Sequence, residues 1–137
     1  MQGTAFVTTD ISTSLQDCNG HGTHVASNIG GLTWGAAKDV RLISVRVLDC
    51  TGEGQNTWVV QGMDWVRANM GTLSAGRRVI AHMSLGGVSA VATDDAANLL
   101  AAAGAVVVAA AGNVASDACN WSPAAASGSI AVAATTS

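Results

Sequence analysis

Charged residues are scarce in this chain of 137 amino acids, only 11% of which are Asp, Glu, Lys or Arg. The six Lys and Arg residues form no cluster, and the formal net charge is -3. A protein that binds nucleic acid or an anionic membrane surface needs a basic patch. The composition therefore argues against both kinds of partner.

Long apolar runs are absent as well. The Ala/Val-rich stretch of residues 99–111 is interrupted by Gly104, and it is shorter than the ~18 residues of a membrane-spanning helix. The N-terminus lacks the basic and then apolar pattern of a signal peptide, so we expect such a segment to be removed or never included. With 49% hydrophobic residues, the chain is predicted to form one globular domain.

Short β-branched runs alternate with helical patterns along the chain. We predict strands over residues 40–48, 79–85, 105–110 and 130–134, which are nearly apolar throughout, as is typical of parallel strands buried on both faces. The alternation predicts an α/β fold, a doubly wound and mostly parallel sheet with helices on both faces. The two helices between the strands are predicted to have apolar faces made of Val59, Met63, Val66 and Met70 and of Ala92, Ala96, Leu99 and Ala103.

Three of the predicted strands end in loops that contain glycine, at residues 49–55, 84–87 and 109–113. Ligands of such α/β sheets bind beyond the carboxyl ends of the strands. Glycine there lets a substrate backbone approach closely, and an extended peptide can hydrogen-bond between two such segments as an added strand. The pattern indicates a peptide-binding cleft.

His21 lies between Gly20 and Gly22 at the start of a further predicted helix. Because the ordinary pKa of histidine is about 6.5, the side chain acts as a general base near neutral pH where a substrate can reach the ring. Glycine on both sides leaves that space clear. The pattern therefore predicts a catalytic base.

Several segments together resemble the subtilisin-like serine proteases (peptidase family S8) of the proteinase K subfamily, and the similarity runs over essentially the whole chain. The resemblance implies a secreted, monomeric serine endopeptidase that hydrolyses protein or peptide substrates by acyl transfer. The sequence around the cysteines is most similar to the aqualysin branch of disulfide-bearing members. The segments concerned are Gly20-His21-Gly22-Thr23-His24-Val25-Ala26, residues 47–55, Ser84-Leu85-Gly86-Gly87, Ala110-Ala111-Gly112-Asn113, and the stretches 17–19 and 118–123.

The resemblance implies a role for each matched position. His21 would be the triad histidine and Asn113 the side-chain donor of the oxyanion hole. Glu53 stands where the family often has serine, and we expect it to favour basic residues upstream of the cleaved bond. The substrate-binding positions implied are Gly52, Glu53 and Gly54 on one side of the peptide, Ser84, Leu85 and Gly86 on the other, Gly87, Ala110, Ala111 and Gly112 around an apolar pocket, and Leu48 and Val59 at a second apolar pocket.

Three cysteines leave one thiol over when a single disulfide forms. The resemblance implies a bridge between Cys18 and Cys50, and a partner for Cys119 that this chain does not contain. It also matches the backbone carbonyls of Ser127 and Ser129 to a family calcium site. Calcium is thus expected only as a structural ion of the full-length protein, and no cofactor is expected for the chemistry.

Two members of the catalytic triad are missing from the expected positions. Asp10 ends a strand-like run but lacks the Thr-Gly or Ser-Gly of the family aspartate, and Asp17 fits a role in the loop before the helix. No serine here has the Gly-Thr-Ser-Met-Ala context of the family nucleophile. We expect residues 1–137 to be the central part of one catalytic domain, lacking the N-terminal Asp strand and the C-terminal Ser segment, and inactive alone. An N-terminal propeptide is expected in the precursor.

Two other functions remain open at this stage. Cys18, His21 and His24 have a spacing that permits three zinc ligands around one helix start. A non-catalytic peptide-binding module of the same fold, which has lost its triad, is the second alternative. Flanking sequence with the aspartate strand and the serine segment would favour the enzyme over the binding module.

Overall fold

The computed structural model describes residues 3–7 and 15–135, so the candidate Asp10 lies outside the described residues. The chain divides into two compact units, residues 1–58 and 59–137. The elements in chain order are β1 (Gly3–Ala5), α1 (His21–Gly30), β2 (Ser44–Arg46), α2 (Asn56–Ser74), β3 (Ile80–Met83), β4 (Gly87–Val88), α3 (Val91–Ala102), β5 (Val106–Ala110), a short 3-10 helix (Ala118–Asn120), β6 (Trp121–Ser122) and β7 (Ser129–Val132).

The first unit contains a parallel pair of strands, β1 and β2, in which Thr4 lies opposite Val45. Val7 and Val47 supply buried apolar side chains. The helix α1 contains no buried residue. Its apolar residues Val25, Ala26 and Ile29 are half-buried, so partial apolar packing holds α1 together with the polar and covalent contacts at its start.

The second unit contains a parallel three-stranded sheet in the order β3, β5, β7. The central strand β5 buries Val107 and Ala109 almost completely, and α3, which contacts β5 and β7, contributes the fully buried Leu100. Beside this sheet, β4 and β6 form a short antiparallel pair. The predicted α/β class with a mostly parallel sheet is confirmed.

Two details of the prediction are wrong. The strand predicted over residues 40–48 is regular only over Ser44–Arg46, and Val40 and Leu42 before it are exposed. The buried face of α3 is also rotated from the predicted one, since Leu99 is 53% exposed whereas Leu100 is fully buried. Alanines lie on every side of α3, so the hydrophobic pattern contrasts its faces too weakly to choose between adjacent leucines. Its buried residues are Thr93, Ala96, Ala97 and Leu100.

Within residues 3–7 and 15–135, no helix has both the length and the apolar character that a membrane crossing requires.

The adjacent leucines of α3 provide a direct test of this register. Leu100→Ala removes a fully buried side chain and should lower the free energy of unfolding by about 2–5 kcal/mol, because it leaves a cavity. The matched control Leu99→Ala truncates a largely exposed side chain and should change the same quantity by about 0.5 kcal/mol or less. Chemical denaturation followed by circular dichroism measures both, and equal losses would contradict the register.

Candidate active site

The carboxylate of Asp17 holds the start of α1. Its Oδ2 accepts hydrogen bonds from the backbone N–H of Thr23 at 2.7 Å and from the Thr23 hydroxyl at 2.6 Å. Its Oδ1 accepts from the backbone N–H groups of Gly20 at 2.7 Å and Asn19 at 3.1 Å. Gly20, with φ of 96°, makes the left-handed turn into the helix. Asp17 thus supplies an acceptor for the Thr23 N–H in the first turn of α1 and for two N–H groups in the loop before it.

These contacts also set the charge state of Asp17. The Thr23 hydroxyl, followed by the backbone N–H groups, holds the pKa of the carboxyl far below its usual range. A negative charge is favourable at this position because it faces the positive end of the helix dipole. Asp17 therefore has the loop-shaping role that the sequence suggested, with both carboxylate oxygens engaged.

His21 is the first residue of α1 and is exposed. Its backbone N–H donates to Oδ1 of Asn19 at 3.3 Å, and the side-chain amide of Asn19 donates to the carbonyl of Cys50 at 3.2 Å. His24, also exposed, donates its backbone N–H to the carbonyl of Gly20. Asn19 therefore links the residue that carries the candidate base to the loop after β2.

The disulfide expected from the resemblance is present between Cys18 and Cys50, with a Cα–Cα distance of 5.0 Å. It joins the same two loops that Asn19 bridges. The guanidinium of Arg46 lies 3.2 Å from Sγ of Cys18, and its Nε donates to the carbonyl of Leu48. Because the Cys18 sulfur is bonded to Cys50, it supplies no thiolate, which removes the proposed zinc site. The described ranges also contain no cluster of three His, Cys, Asp or Glu residues suited to a metal.

A tight turn over residues 49–53 presents the candidate substrate segment Gly52-Glu53-Gly54. The backbone N–H of Asp49 donates to the carbonyl of Glu53 at 2.8 Å, and Gly52 donates to the carbonyl of Asp49 at 3.1 Å. Gly52 has φ of 89°, and a Cβ on Gly54 would lie 2.6 Å from the carbonyl oxygen of Val47. Both glycines are therefore required by the backbone itself.

In the second unit, β3 and β5 end at the same edge of the sheet, with Met83 opposite Ala109. Ser84 and Ala110 line a cavity of about 300 Å³ there, together with His82, Val108, Ala109 and Val132. Gly86 lies close to the end of β5, since a Cβ on it would be 3.9 Å from the carbonyl oxygen of Ala110. The strand ends predicted to bind substrate are thus adjacent, and a largely apolar cavity opens beside them.

The remaining predicted residues of this unit, apart from Val59, follow the same strand ends. Gly87 pairs with Ser122 across β4 and β6, and Ala111 donates its N–H to the carbonyl of Val132 at 2.9 Å. Gly112 adopts φ of 100° directly before the exposed Asn113. Leu85 is half-buried, and Val59 near the start of α2 is buried.

Cys119 is an exposed free thiol near this region. The carboxylate of Asp117, by hydrogen bonding and by its charge, raises the pKa of the thiol. The thiolate form is therefore disfavoured at neutral pH.

The structure thus assembles the predicted residues in two groups, one in each unit. The second unit contains the predicted residues from Val59 to Asn113. The first unit contains His21, Leu48, Gly52, Glu53 and Gly54. Sequence reasoning missed the contacts of Asn19, Arg46 and Asp49. Asp49 and Asn19 left local signals, because each precedes a turn that contains glycine, and Asp and Asn side chains there commonly accept a hydrogen bond from the backbone two residues on.

The Subtilase family model, of peptidase family S8, matches residues 6–137. Alkaline serine exoprotease A of Vibrio alginolyticus is 47% identical over 137 residues, which are the whole of this chain and 24% of that protein. The extracellular serine proteinase of Thermus sp. (strain Rt41A) is 52% identical over 124 residues, 90% of this chain and 29% of that protein.

A solved structure is also similar. The crystal structure of a cold-adapted subtilisin-like serine proteinase aligns with a TM-score of 0.80 at 43% identity, covering 93% of this chain and 44% of that chain. The present chain therefore spans about a quarter of the two sequence relatives.

Removal of the Asp17 carboxylate should weaken the start of α1. Asp17→Ala is expected to lower the free energy of unfolding by about 1 kcal/mol at pH 7, as loss of a helix cap does. The folded-state pKa of Asp17 is depressed, so this contribution is complete above the unfolded pKa of about 4 and is lost as the pH falls below it. Denaturation at pH 7 and at acid pH measures the change. Asp39→Ala, at another exposed aspartate, is the control, and a pH-independent difference for Asp17→Ala would contradict the assignment.

Proposed function

The chain belongs to the subtilase family, and from this we propose that it is the central part of the catalytic domain of a secreted serine endopeptidase. The enzyme hydrolyses peptide bonds in protein or peptide substrates by acyl transfer. The observation that carries the proposal is the linkage of His21 to the substrate-segment loop through Asn19 and the Cys18–Cys50 disulfide. This linkage supports the proposal, because it ties the backbone of His21 to the loop that leads into residues 52–54.

His21 is proposed as the general base of the reaction. It takes the proton from a serine hydroxyl supplied by a later segment of the full-length protein and returns it to the leaving amine. The exposure of His21 supports this role, because the ring has to be reached by both groups. The carboxylate that orients the ring is proposed to come from an earlier segment, since both oxygens of Asp17 are bonded to the helix start.

Asn113 is proposed as the amide donor to the oxyanion. It follows the end of β5, one residue after a glycine in the left-handed conformation, in an exposed loop. A fixed amide at such a position stabilises the negative charge that develops on the carbonyl oxygen during acyl transfer.

The segments 52–54 and 84–86 are each proposed to pair with the backbone of an extended substrate, which thereby becomes an added strand. The side chain before the scissile bond enters the pocket bounded by Gly87, Ala110, Ala111 and Gly112. Glycine and alanine at these four positions bring no charged or bulky side chain to the pocket, which supports a preference for apolar side chains there.

Calcium is proposed as a structural ion at the loop that contains Ser127 and Ser129. Oδ1 of Asn98 accepts hydrogen bonds from the backbone N–H of Gly128 at 2.8 Å and from the hydroxyl of Ser127 at 3.2 Å, which fixes the loop. Backbone carbonyls are hard oxygen ligands of the type that calcium prefers, so these residues fit part of such a site. A carboxylate from later sequence would complete it.

Secretion and the remaining partners are proposals of the same kind. The disulfide is typical of an oxidising compartment, and one relative is named an extracellular proteinase. We propose that the full-length protein is a monomer with an N-terminal propeptide in its precursor.

Substitution of the two proposed catalytic side chains tests the proposed function. In the full-length enzyme, His21→Ala should lower kcat about a million-fold and Asn113→Ala about 10²–10³-fold, which are the magnitudes known from a subtilisin. His24→Ala, one helical turn from His21, should change kcat by less than about tenfold, since that ring takes no part in proton transfer. Hydrolysis of a chromogenic peptide, normalised to folded protein, measures all three. Equal losses of kcat in His21→Ala and His24→Ala would contradict the assignment of His21 as the base. A wild-type protein that binds the peptide without hydrolysing it would favour the non-catalytic module.

Glu53 is predicted to select basic residues upstream of the cleaved bond. The side chain is exposed on the substrate segment while its backbone is held by Asp49. Glu53→Gln should reduce the preference for Arg over Gln at an upstream substrate position by about 2- to 5-fold, as is expected for one exposed charge pair. Asp39→Asn, which removes the same charge elsewhere in the first unit, should leave the kcat/KM ratio of the two peptides unchanged. If the kcat/KM ratio of the two peptides changes equally in Glu53→Gln and Asp39→Asn, the effect comes from net charge and contradicts a specific role of Glu53.

A further inference from the structure

The carboxylate of Asp49 is the centre of the turn before the substrate segment. Its Oδ1 accepts hydrogen bonds from the backbone N–H of Thr51 at 2.9 Å, the Thr51 hydroxyl at 2.6 Å and the backbone N–H of Glu53 at 3.1 Å. The bonds from the Thr51 hydroxyl, and then from the backbone, lower the pKa of this carboxyl. Asp49 is therefore ionised and accepting at neutral pH.

The segment Gly52-Glu53-Gly54 is held through its backbone rather than by its own side chains. Two of its three residues have no side chain, and Glu53 is exposed. Glycine is the residue with the greatest conformational freedom, so a free segment of this composition would sample many backbone conformations. The bonds to the Asp49 carboxylate and the pairing between the Asp49 N–H and the Glu53 carbonyl restrict it.

The turn that Asp49 closes is also tied to the candidate base. Cys50, the next residue, is bonded through its sulfur to Cys18 and through its carbonyl to the amide of Asn19. Asn19 in turn accepts from the backbone N–H of His21. The route from His21 to the substrate segment thus passes through residues 49–51, all within the first unit.

We propose that Asp49 is a positioning residue for substrate binding: through Thr51 and Glu53 it holds the backbone of residues 52–54 in one conformation and at a fixed place relative to His21. The inference rests on the proposed function. A preorganised segment loses less conformational entropy when a peptide pairs with it, so the benefit is in binding rather than in the chemical step. Substrate that does not reach residues 52–54 gains nothing from it.

Kinetics of the full-length enzyme with a long and a short substrate test the proposal. In Asp49→Ala, KM for a peptide that extends several residues upstream of the scissile bond should rise about tenfold, roughly the binding contribution of one hydrogen bond, with kcat little changed. A short substrate with only the residue before the scissile bond should keep its KM. Asp49→Asn retains an oxygen acceptor and should recover most of the long-peptide affinity. Asp64→Ala, at an exposed aspartate paired with Arg67, should match the wild type with both substrates.

Hydrogen exchange provides a second readout that does not depend on activity. In Asp49→Ala, the amides of Thr51 and Glu53 should exchange faster, while those of Gly20 and Thr23, which donate to Asp17, should be unchanged. Three results would each overturn the positioning role. The first is a KM that rises equally for the long and the short substrate, and the second is unchanged amide exchange at Thr51 and Glu53. The third is an Asp49→Asn variant that does not recover affinity for the long peptide. If the wild-type enzyme cleaves neither substrate, both the proposed function and this inference are overturned. If the wild-type enzyme cleaves both substrates and Asp49→Ala behaves identically, only the inference is overturned.

Discussion

The disulfide between Cys18 and Cys50 joins the loop before α1 to the loop after β2, and the geometry of the first unit depends on it. The cysteines are 32 residues apart in sequence, and on the chain-entropy model a loop of this length stabilises the folded state by about 3–4 kcal/mol. This contribution matters here because α1 has no buried residue to fix it by packing. The bonds from Asp17 and Asn19 to the same loop complete the attachment. Covalent and polar contacts thus add to the partial apolar packing of α1 in placing the candidate base.

In the second unit, apolar packing holds the strands and the helix in place. Leu100, Val107 and Ala109 are almost completely buried between α3 and the sheet, so the ends of β3 and β5 are fixed by close packing. Residues that directly follow such strands are held in position by them, which suits the proposed substrate site because a binding site needs well-fixed geometry. Gly112, with φ of 100°, then provides the left-handed turn after β5.

The outer strands of that sheet are relevant to the proposal that the chain is the central part of a larger domain. β3 and β7 are its edges within the described residues, and they expose Ile80, Ile130 and Val132 to 63%, 55% and 53%. Exposed apolar edge strands promote association between chains unless something covers them. Further parts of a full-length enzyme would serve as that cover, which agrees with the larger size of the relatives.

The sequence by itself determined the features that depend on local pattern. The alternation of apolar runs with helical periodicity indicated the α/β class, the glycines around His21 indicated an open helix start, and the resemblance carried by the segments at residues 20–26 and 110–113 implied the family and the Cys18–Cys50 bond. The tertiary structure decided which residues are buried and which loops meet, because the local sequence pattern does not distinguish these alternatives. Leu100 rather than Leu99 is buried, because the position of the sheet, not the alanine-rich sequence of α3, selects the face. Asn19 connects His21 to Cys50 only because folding brings residues 31 positions apart into hydrogen-bond distance. Contacts of this kind have no periodic signature, since they arise from the approach of two loops that the sequence describes separately.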